Sequence, residues 1–85
     1  DSIKVGDRCK LLNNSAARGE VKFVGKIMDL GVGYYVGILL DEPYGNSNGS
    51  IKGVTYFQAG SDKYGTFVRP DQIEVGDFPV LDIDD

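Results

Sequence analysis

The side chains best suited to chemistry in this chain lie in one short polar loop and in an arginine further along. The loop GNSNG, residues 45–49, sets three short polar side chains between two glycines. Amides and a hydroxyl both donate and accept hydrogen bonds, and the guanidinium of Arg69 can hold a carboxylate through two parallel bonds. With tyrosines nearby, this set suits a peptide-binding patch. A wide hairpin turn without a function explains the loop alone equally well.

Catalytic chemistry is poorly supported. The chain has no histidine, which removes the commonest general base and zinc ligand. The carboxylates of Asp41 and Glu42 are sequence neighbours that point apart, and nothing near Lys63 would lower its pKa. The stretch GVGYYVG lacks the third glycine of a dinucleotide fingerprint and precedes a strand pattern. We therefore predict no enzyme, no metal and no cofactor.

Size and charge narrow the possible partners. The 85 residues are 41% hydrophobic and 26% charged, as expected for one globular domain. Residues 1–70 carry nine basic and seven acidic side chains, whereas residues 71–85 carry six acidic ones and no basic one. That balance is too weak for a nucleic-acid partner but suits an acidic peptide. No segment reads as a membrane span or a membrane-binding element.

The cysteine content indicates the cellular compartment of the protein, and the first residue indicates whether the chain is part of a longer one. A single cysteine, Cys9, cannot form an internal disulfide, which favours a reducing compartment and a cytoplasmic location. The chain begins with Asp1 rather than methionine, which suggests a part of a longer protein.

The elements that must position the loop read as short strands. Alternating or continuous apolar patterns predict strands over residues 8–12, 20–24, 33–40, 54–57, 66–68 and 73–75. We predict a turn over residues 13–19, a strand end at Gly25, and a bulge or close backbone approach at Gly37. With twelve glycines and no helical periodicity, the chain predicts a small antiparallel barrel or sandwich. Residues 80–85 read as an acidic, mobile tail.

Adjacent aromatic residues predict a surface role for some rings. Tyr34 with Tyr35, and Tyr56 with Phe57, occupy consecutive positions of predicted strands. Since successive side chains of a strand point to opposite faces, one ring of each pair must face outwards or line a groove. Tyrosines beside polar loops are typical of peptide-binding surfaces.

Three motifs, RGEVKFVG, GYYVGILLDEPYGNSNGSIKGVTYF and YGTFVRPDQI, resemble the CAP-Gly family from about residue 5 to residue 75. The resemblance implies an all-β fold, a small SH3-like, strongly bent antiparallel barrel with glycine-rich loops, over residues 1–79. It implies a non-enzymatic module that binds acidic C-terminal tails. The tails expected are those of α-tubulin and of end-binding proteins, which finish in Glu-Glu-Tyr or Glu-Glu-Phe.

Two stretches, YYVGILLDEPYG and VGDFP, resemble the tubulin-folding cofactor B subfamily. That resemblance implies a cytoplasmic, cytoskeleton-associated chaperone that captures α-tubulin and works with a partner tubulin cofactor. A microtubule plus-end or dynactin-type adaptor is the alternative binding function. A structural barrel that has lost peptide binding is the third hypothesis.

The family resemblance also implies a set of peptide-binding residues. These are Leu30, Tyr35, Asn46, Ser47, Asn48, Phe67, Arg69 and Gln72. Tyr35 and Phe67 would wall the groove, Arg69 would meet a carboxylate, and Gln72 would flank the peptide.

The chain departs from the family at its signature loop. The usual sequence Gly-Lys-Asn-Asp-Gly is replaced by GNSNG here. Asn46 occupies the position of a lysine that would meet a carboxylate. Ser47 occupies the position of an asparagine, whose longer side chain would reach further. Tyr35 replaces a tryptophan, and Leu30 or Asp29 replaces a groove phenylalanine. These changes leave the fold prediction intact and predict weaker tail binding than is typical of the family.

Overall fold

Seven β-strands and one short 3-10 turn make up the secondary structure of the computed structural model, which describes residues 3–80. The strands are β1 Arg8–Leu11, β2 Asn14–Lys26, β3 Tyr34–Leu40, β4 Ser50–Ile51, β5 Val54–Thr55, β6 Gly65–Val68 and β7 Ile73–Val75, with the turn Pro70–Gln72 before β7. All pairings are antiparallel, which confirms the predicted all-β class. No helix within residues 3–80 is long and apolar enough to cross a membrane.

The main sheet must curl, because its two edges are close in sequence. Its strand order is β6-β3-β2-β1-β7, so the edge strands β6 and β7 are joined only by residues 69–72. In a flat five-stranded sheet those edges would lie about 19 Å apart. A fully extended link from Val68 to Ile73 would span at most about 17 Å, and this one is shortened by the 3-10 turn. A bond from Leu12 N–H to Gln72 O, 2.9 Å, ties the turn to the β1 side.

The second strand is longer than its sequence predicts. The turn predicted over residues 13–19 is wrong, because Leu11 already pairs with Asn14 and β2 runs on to Lys26. The predicted strand end at Gly25 is wrong as well, because Gly25 pairs with Tyr35. A Cβ at Gly19 would collide with the carbonyl of Leu39, so that glycine permits a close approach within the strand.

One apolar cluster forms the core between the strands. Its buried members are Cys9, Leu11, Ala17, Val21, Val36, Ile38, Leu40 and Ile73. Cys9 is fully buried and Leu11 is 9% exposed, so the alternating apolar side chains of β1 point into this core. Burial raises the pKa of the Cys9 thiol to about 11, so this thiol stays protonated and unreactive at neutral pH.

Four aromatic residues, Phe23, Tyr56, Phe57 and Phe67, form a layer beside this core. A register shift between Val21 and Phe23 turns Phe23 onto Tyr56, with ring centroids 4.8 Å apart. A Cβ at Gly37 would press on Phe57 and Phe23, which confirms the predicted close approach at that glycine. The layer therefore packs directly on the backbone of β3.

Adjacent aromatic residues do divide between surface and interior. Tyr34 is 56% exposed and Tyr35 is 8% exposed, as their consecutive positions on β3 predict. The strand predicted over residues 54–57 stops at Thr55, because the N–H groups of Tyr56 and Phe57 both donate to Gly49 O. These two aromatic residues are thus tied to the polar loop rather than to a strand.

The segment after β7 is held against the outer face of β1 and β2. Arg8 Nε donates to Phe78 O at 2.8 Å, and the ammonium of Lys10 lies 5.1 Å from the Phe78 ring. A two-nitrogen hydrogen bond to Asp41 raises the pKa of the Arg8 guanidinium and holds it in place. Val80 is exposed, and the rest of the predicted acidic tail, residues 81–85, lies outside the described residues.

Candidate functional site

The polar loop of residues 45–49 is fastened to β6 through its backbone. Gly45 N–H donates to Lys63 O at 2.7 Å. The N–H groups of Asn46 and Ser47 both donate to Gly65 O at 3.0 Å, and Gly65 N–H donates back to Ser47 O at 2.8 Å. The shape of the loop is therefore set by main-chain bonds that do not depend on which side chains occupy positions 46 and 47.

Both glycines of the loop are required by close backbone packing. A Cβ at Gly45 would overlap the carbonyl of Gly65, and one at Gly49 would overlap the carbonyl of Phe57. Gly49 also has a φ of 98°, a left-handed conformation that side-chain-bearing residues rarely adopt. The glycines that bracket the loop thus allow it to lie directly on β6 and the aromatic layer.

Few backbone N–H groups of the loop are available to a ligand. The N–H of Gly49 donates to Ser47 Oγ at 3.0 Å, so within residues 3–80 only the Asn48 N–H of this loop lacks an acceptor. Asn48 Oδ1 accepts the Ser50 N–H at 3.0 Å, which leaves its NH₂ group as a donor. The donors left to a bound carboxylate are this N–H, the side-chain amides of Asn46 and Asn48, and the Ser47 hydroxyl.

An open groove of about 420 Å³ lies beside this loop. It is lined by Leu30, Asn46, Ser47, Asn48, Ser50, Ile51, Asp62 and Phe67. Five of the eight predicted site residues therefore share one surface: Leu30, Asn46, Ser47, Asn48 and Phe67. The groove combines apolar side chains with hydrogen-bonding ones, as a peptide end requires.

Three lining residues were missed from the sequence. Ser50 and Ile51 follow the loop directly and form β4, so their nearness to the loop was a usable signal. Asp62 lies in an irregular segment before β6, where no periodicity indicates which side chains face the groove. Only the folded arrangement brings that carboxylate to the loop.

Aromatic rings support the apolar wall of the groove. The Phe67 ring centroid lies 5.4 Å from that of Phe57 and 5.7 Å from that of Tyr56. The Tyr56 ring is in turn held edge-on by Phe23. Phe67 is thus fixed by its neighbours and presents a preformed apolar surface to a ligand.

Tyr35 and Arg69 are not among the residues that line this groove, and the wall role predicted for Tyr35 remains a prediction. Tyr35 is 8% exposed, and its hydroxyl donates to Leu30 O at 2.7 Å. The Arg69 guanidinium stacks on the Tyr35 ring, 4.2 Å from its centroid, and Nη1 donates to Val32 O at 2.7 Å. Together they hold the segment between β2 and β3 that presents Leu30.

Gln72 has a local structural task. Its Oε1 accepts the Arg69 N–H at 2.8 Å, and its own N–H donates to Arg69 O at 3.0 Å, closing the 3-10 turn. Its side chain is exposed but does not line the groove. The carboxylate contact predicted for Arg69 and the flanking role predicted for Gln72 remain predictions.

The groove carries negative rather than positive charge. Asp62 is its one charged lining residue, and no lysine or arginine lines it. Asn46, at the position where the family resemblance implies a lysine, is exposed and neutral. Within residues 3–80, no three histidine, cysteine, aspartate or glutamate side chains lie close enough together to hold a metal ion.

The model of the CAP-Gly domain family matches residues 5–73. The chain belongs to the CAP-Gly family. It is 32% identical to the CAP-Gly domain of the human kinesin-like protein KIF13B, with a TM-score of 0.76 over 89% of this chain and 72% of that one. The bent antiparallel fold implied by the sequence motifs is thereby confirmed.

Curated relatives place the chain near one branch of the family. It is 47% identical to tubulin-folding cofactor B of Arabidopsis thaliana, over 95% of this chain and 32% of that protein. It is 46% identical to tubulin-specific chaperone B of Caenorhabditis elegans, over 99% of this chain and 37% of that protein. Dynactin subunit 1 of Drosophila melanogaster is 43% identical over 87% of this chain and 6% of that protein.

The chain is therefore a CAP-Gly module that resembles tubulin-folding cofactor B. It spans about a third of the length of the cofactor B relatives. The predicted family, the predicted subfamily resemblance and the non-enzymatic class are confirmed by these comparisons.

Proposed function

We propose that this chain is the tail-binding module of a cytoplasmic, cytoskeleton-associated chaperone like tubulin-folding cofactor B. Its ligand is the C-terminal tail of α-tubulin, which is acidic and ends in an aromatic residue. Through that contact the whole protein would assist folding or dissociation of the tubulin heterodimer, together with a partner tubulin cofactor. The relatives named for tubulin folding support this proposal, since they match 95% or more of the chain.

The observation that carries the proposal is the pairing of an apolar wall with unused donors in one groove. The terminal aromatic ring would pack against Phe67, Leu30 and Ile51. Full burial of such a ring contributes about 1.5–3 kcal/mol. The terminal carboxylate would accept from the Asn48 N–H and the neighbouring amides and hydroxyl, at about 1.5–3 kcal/mol for a bond to a charged group.

Because the groove has no cation, the acidic residues before the ring contribute little to this binding. The ring and the terminal carboxylate then supply most of the free energy, and affinity falls below that of a groove with a lysine at position 46. A plus-end or dynactin-type adaptor, which would also bind end-binding proteins, is the second candidate. The 43% identity to Dynactin subunit 1 favours it, but over less of the chain than the cofactor B relatives.

A peptide titration tests the proposal. The ligands are a labelled α-tubulin tail peptide, the same peptide without its last aromatic residue, and the full peptide with a C-terminal amide. We expect both altered peptides to bind at least about tenfold more weakly, since each loses one of the two contributions above. Equal binding of the three peptides, or binding of none, would refute tail recognition by this groove.

Two matched variants locate the contact. Phe67→Leu keeps an apolar side chain but removes the aromatic wall of the groove, and Tyr34→Leu makes the same change at an exposed ring that does not line the groove. We expect Phe67→Leu to weaken binding of the full peptide and Tyr34→Leu to leave it unchanged. The reverse pattern would place the binding surface on the β3 side instead.

A further inference from the structure

The groove beside the polar loop opens into a second depression, and Asp62 lies where the two meet. The second depression, of about 560 Å³, is lined by Asn48, Ser50, Thr55, Gln58, Gly60, Ser61 and Asp62. Asn48, Ser50 and Asp62 line both spaces. A peptide whose last residue fills the first space and whose preceding residues run into the second must pass this carboxylate.

Asp62 forms no ion pair among residues 3–80. None of the side chains that line either depression is basic. Among the described residues, the ion pairs are Arg8 with Asp41, Lys10 with Glu74 and Lys22 with Glu20, so Asp62 belongs to none of them. The adjacent Lys63 lines neither depression, and its carbonyl instead accepts the Gly45 N–H.

A carboxylate of the ligand beside Asp62 would meet a like charge. We propose that Asp62 acts as a specificity residue that disfavours acidic residues next to the terminal aromatic ring, so that the groove prefers tails that are uncharged there. This inference rests on the proposed binding of peptide ends in the groove. It reverses the preference that a lysine-bearing loop would give, because the same glutamates that a lysine attracts are repelled here.

The physical signature of such repulsion is its response to salt. Charges at the surface interact over about 30 Å at 0.01 M ionic strength and over about 8 Å at 0.15 M. Repulsion from Asp62 therefore weakens as salt rises. An acidic tail should bind this groove better at high salt than at low salt, whereas an attractive site shows the opposite trend.

The experiment compares two peptides and three forms of the protein. The peptides are an α-tubulin tail ending in Glu-Glu-Tyr and the same peptide ending in Gln-Gln-Tyr. The proteins are wild type, Asp62→Asn, and Asp77→Asn, which removes the same charge from an exposed position that lines neither depression. Dissociation constants are measured by fluorescence anisotropy at low and high salt, and circular dichroism checks that each variant is folded.

We expect Asp62→Asn to tighten binding of the Glu-Glu-Tyr peptide by about 1.5- to 5-fold at low salt, the range of exposed charge pairs. Its effect on the Gln-Gln-Tyr peptide should be smaller, because only the terminal carboxylate of that ending then meets the Asp62 charge. Asp77→Asn should change both dissociation constants less than Asp62→Asn does. Wild type should bind the Gln-Gln-Tyr peptide more tightly than the Glu-Glu-Tyr peptide, by a ratio that shrinks at high salt.

Other outcomes separate two failures. Tighter wild-type binding of the Glu-Glu-Tyr peptide at low salt, or an equal effect of Asp62→Asn on both peptides, overturns the role of Asp62 and leaves tail binding intact. If wild type binds neither peptide at either salt concentration, the proposed function fails and this inference fails with it.

Discussion

The core cluster and the polar loop are held together by different forces. In the core, fully buried side chains such as Val21, Val36 and Ile38 exclude water, so the identity of each side chain matters. In the loop, main-chain bonds to β6 and the absence of a Cβ at its glycines determine the shape, while Asn46 and Asn48 remain exposed. A loop built in this way can change its side chains, and hence its ligand preference, without loss of the fold.

The largest expected effect in this comparison is on stability, and it is tested by substituting two glycines, Gly49 and Gly53. Gly49→Ala should lower the free energy of unfolding by about 3 kcal/mol or more. The alanine would be strained in the left-handed backbone conformation, and its Cβ would also collide with the Phe57 carbonyl. Gly53→Ala is the matched control, with a φ of 83° and nothing within 4 Å of the added Cβ, so it should cost only about 1–2 kcal/mol. Urea unfolding measures both.

Asn46→Ala belongs to the same comparison. Its side chain is exposed and makes no hydrogen bond within residues 3–80, so the change in unfolding free energy should stay within about 0.5 kcal/mol. If Asn46→Ala cost as much as Gly49→Ala, or if the two glycine variants were alike, the loop would not be held by its backbone.

An intermediate effect is expected at Arg69, which belongs to neither region and holds the segment that presents Leu30. Arg69→Ala should weaken tail binding, by about 1.5–3 kcal/mol if the guanidinium holds the terminal carboxylate and by less if it only positions Leu30. In the described structure the guanidinium donates to Val32 O, so we expect a loss of positioning of Leu30 rather than of a ligand contact. The peptide acid and the peptide amide should then lose equal affinity in calorimetry.

The alternative for Arg69 gives a different result in that experiment. If its guanidinium holds the terminal carboxylate directly, the loss should be large for the peptide acid and small for the amide. Arg69→Lys is a further test of the two roles, positioning of Leu30 and direct contact with the carboxylate. A lysine keeps the positive charge, but it lacks the planar group that stacks on Tyr35 and the paired donors of a guanidinium.

The smallest expected effect on binding is a gain, from restoring the loop sequence that is usual in the family. Asn46→Lys with Ser47→Asn should strengthen tail binding by about 0.5–2 kcal/mol, because a new charge would meet the acidic tail at an exposed site. The gain should shrink as salt rises. The Ser47 hydroxyl accepts the Gly49 N–H and so supports the loop. The single variant Asn46→Lys keeps this hydroxyl and therefore separates the effect of the new charge from the effect of losing the hydroxyl. No gain at low salt would favour a structural barrel without peptide binding.

Much of the fold was predictable because strand periodicity is a local property. Alternation predicted the strand that became β1, and the apolar run GYYVGILL predicted the strand that became β3. Turn-type residues misled over residues 14–19, because Asn14, Ser15 and Gly19 have small side chains that suit a turn in isolation and a strand when a partner pairs with them. The length of β2 was decided by its neighbours β1 and β3.

The sequence by itself determined the family, the approximate position of most strands and the position of the polar loop, since those depend on motifs and on local patterns. Tertiary structure alone brought Asp62 to the groove and placed the Arg69 guanidinium on Tyr35. It also gave four of the five loop N–H groups an acceptor, two of them at Gly65 of β6, which left the Asn48 N–H without a partner within residues 3–80. The physical reason is that charge, donors and apolar surface act through space, between side chains whose separation no local pattern records.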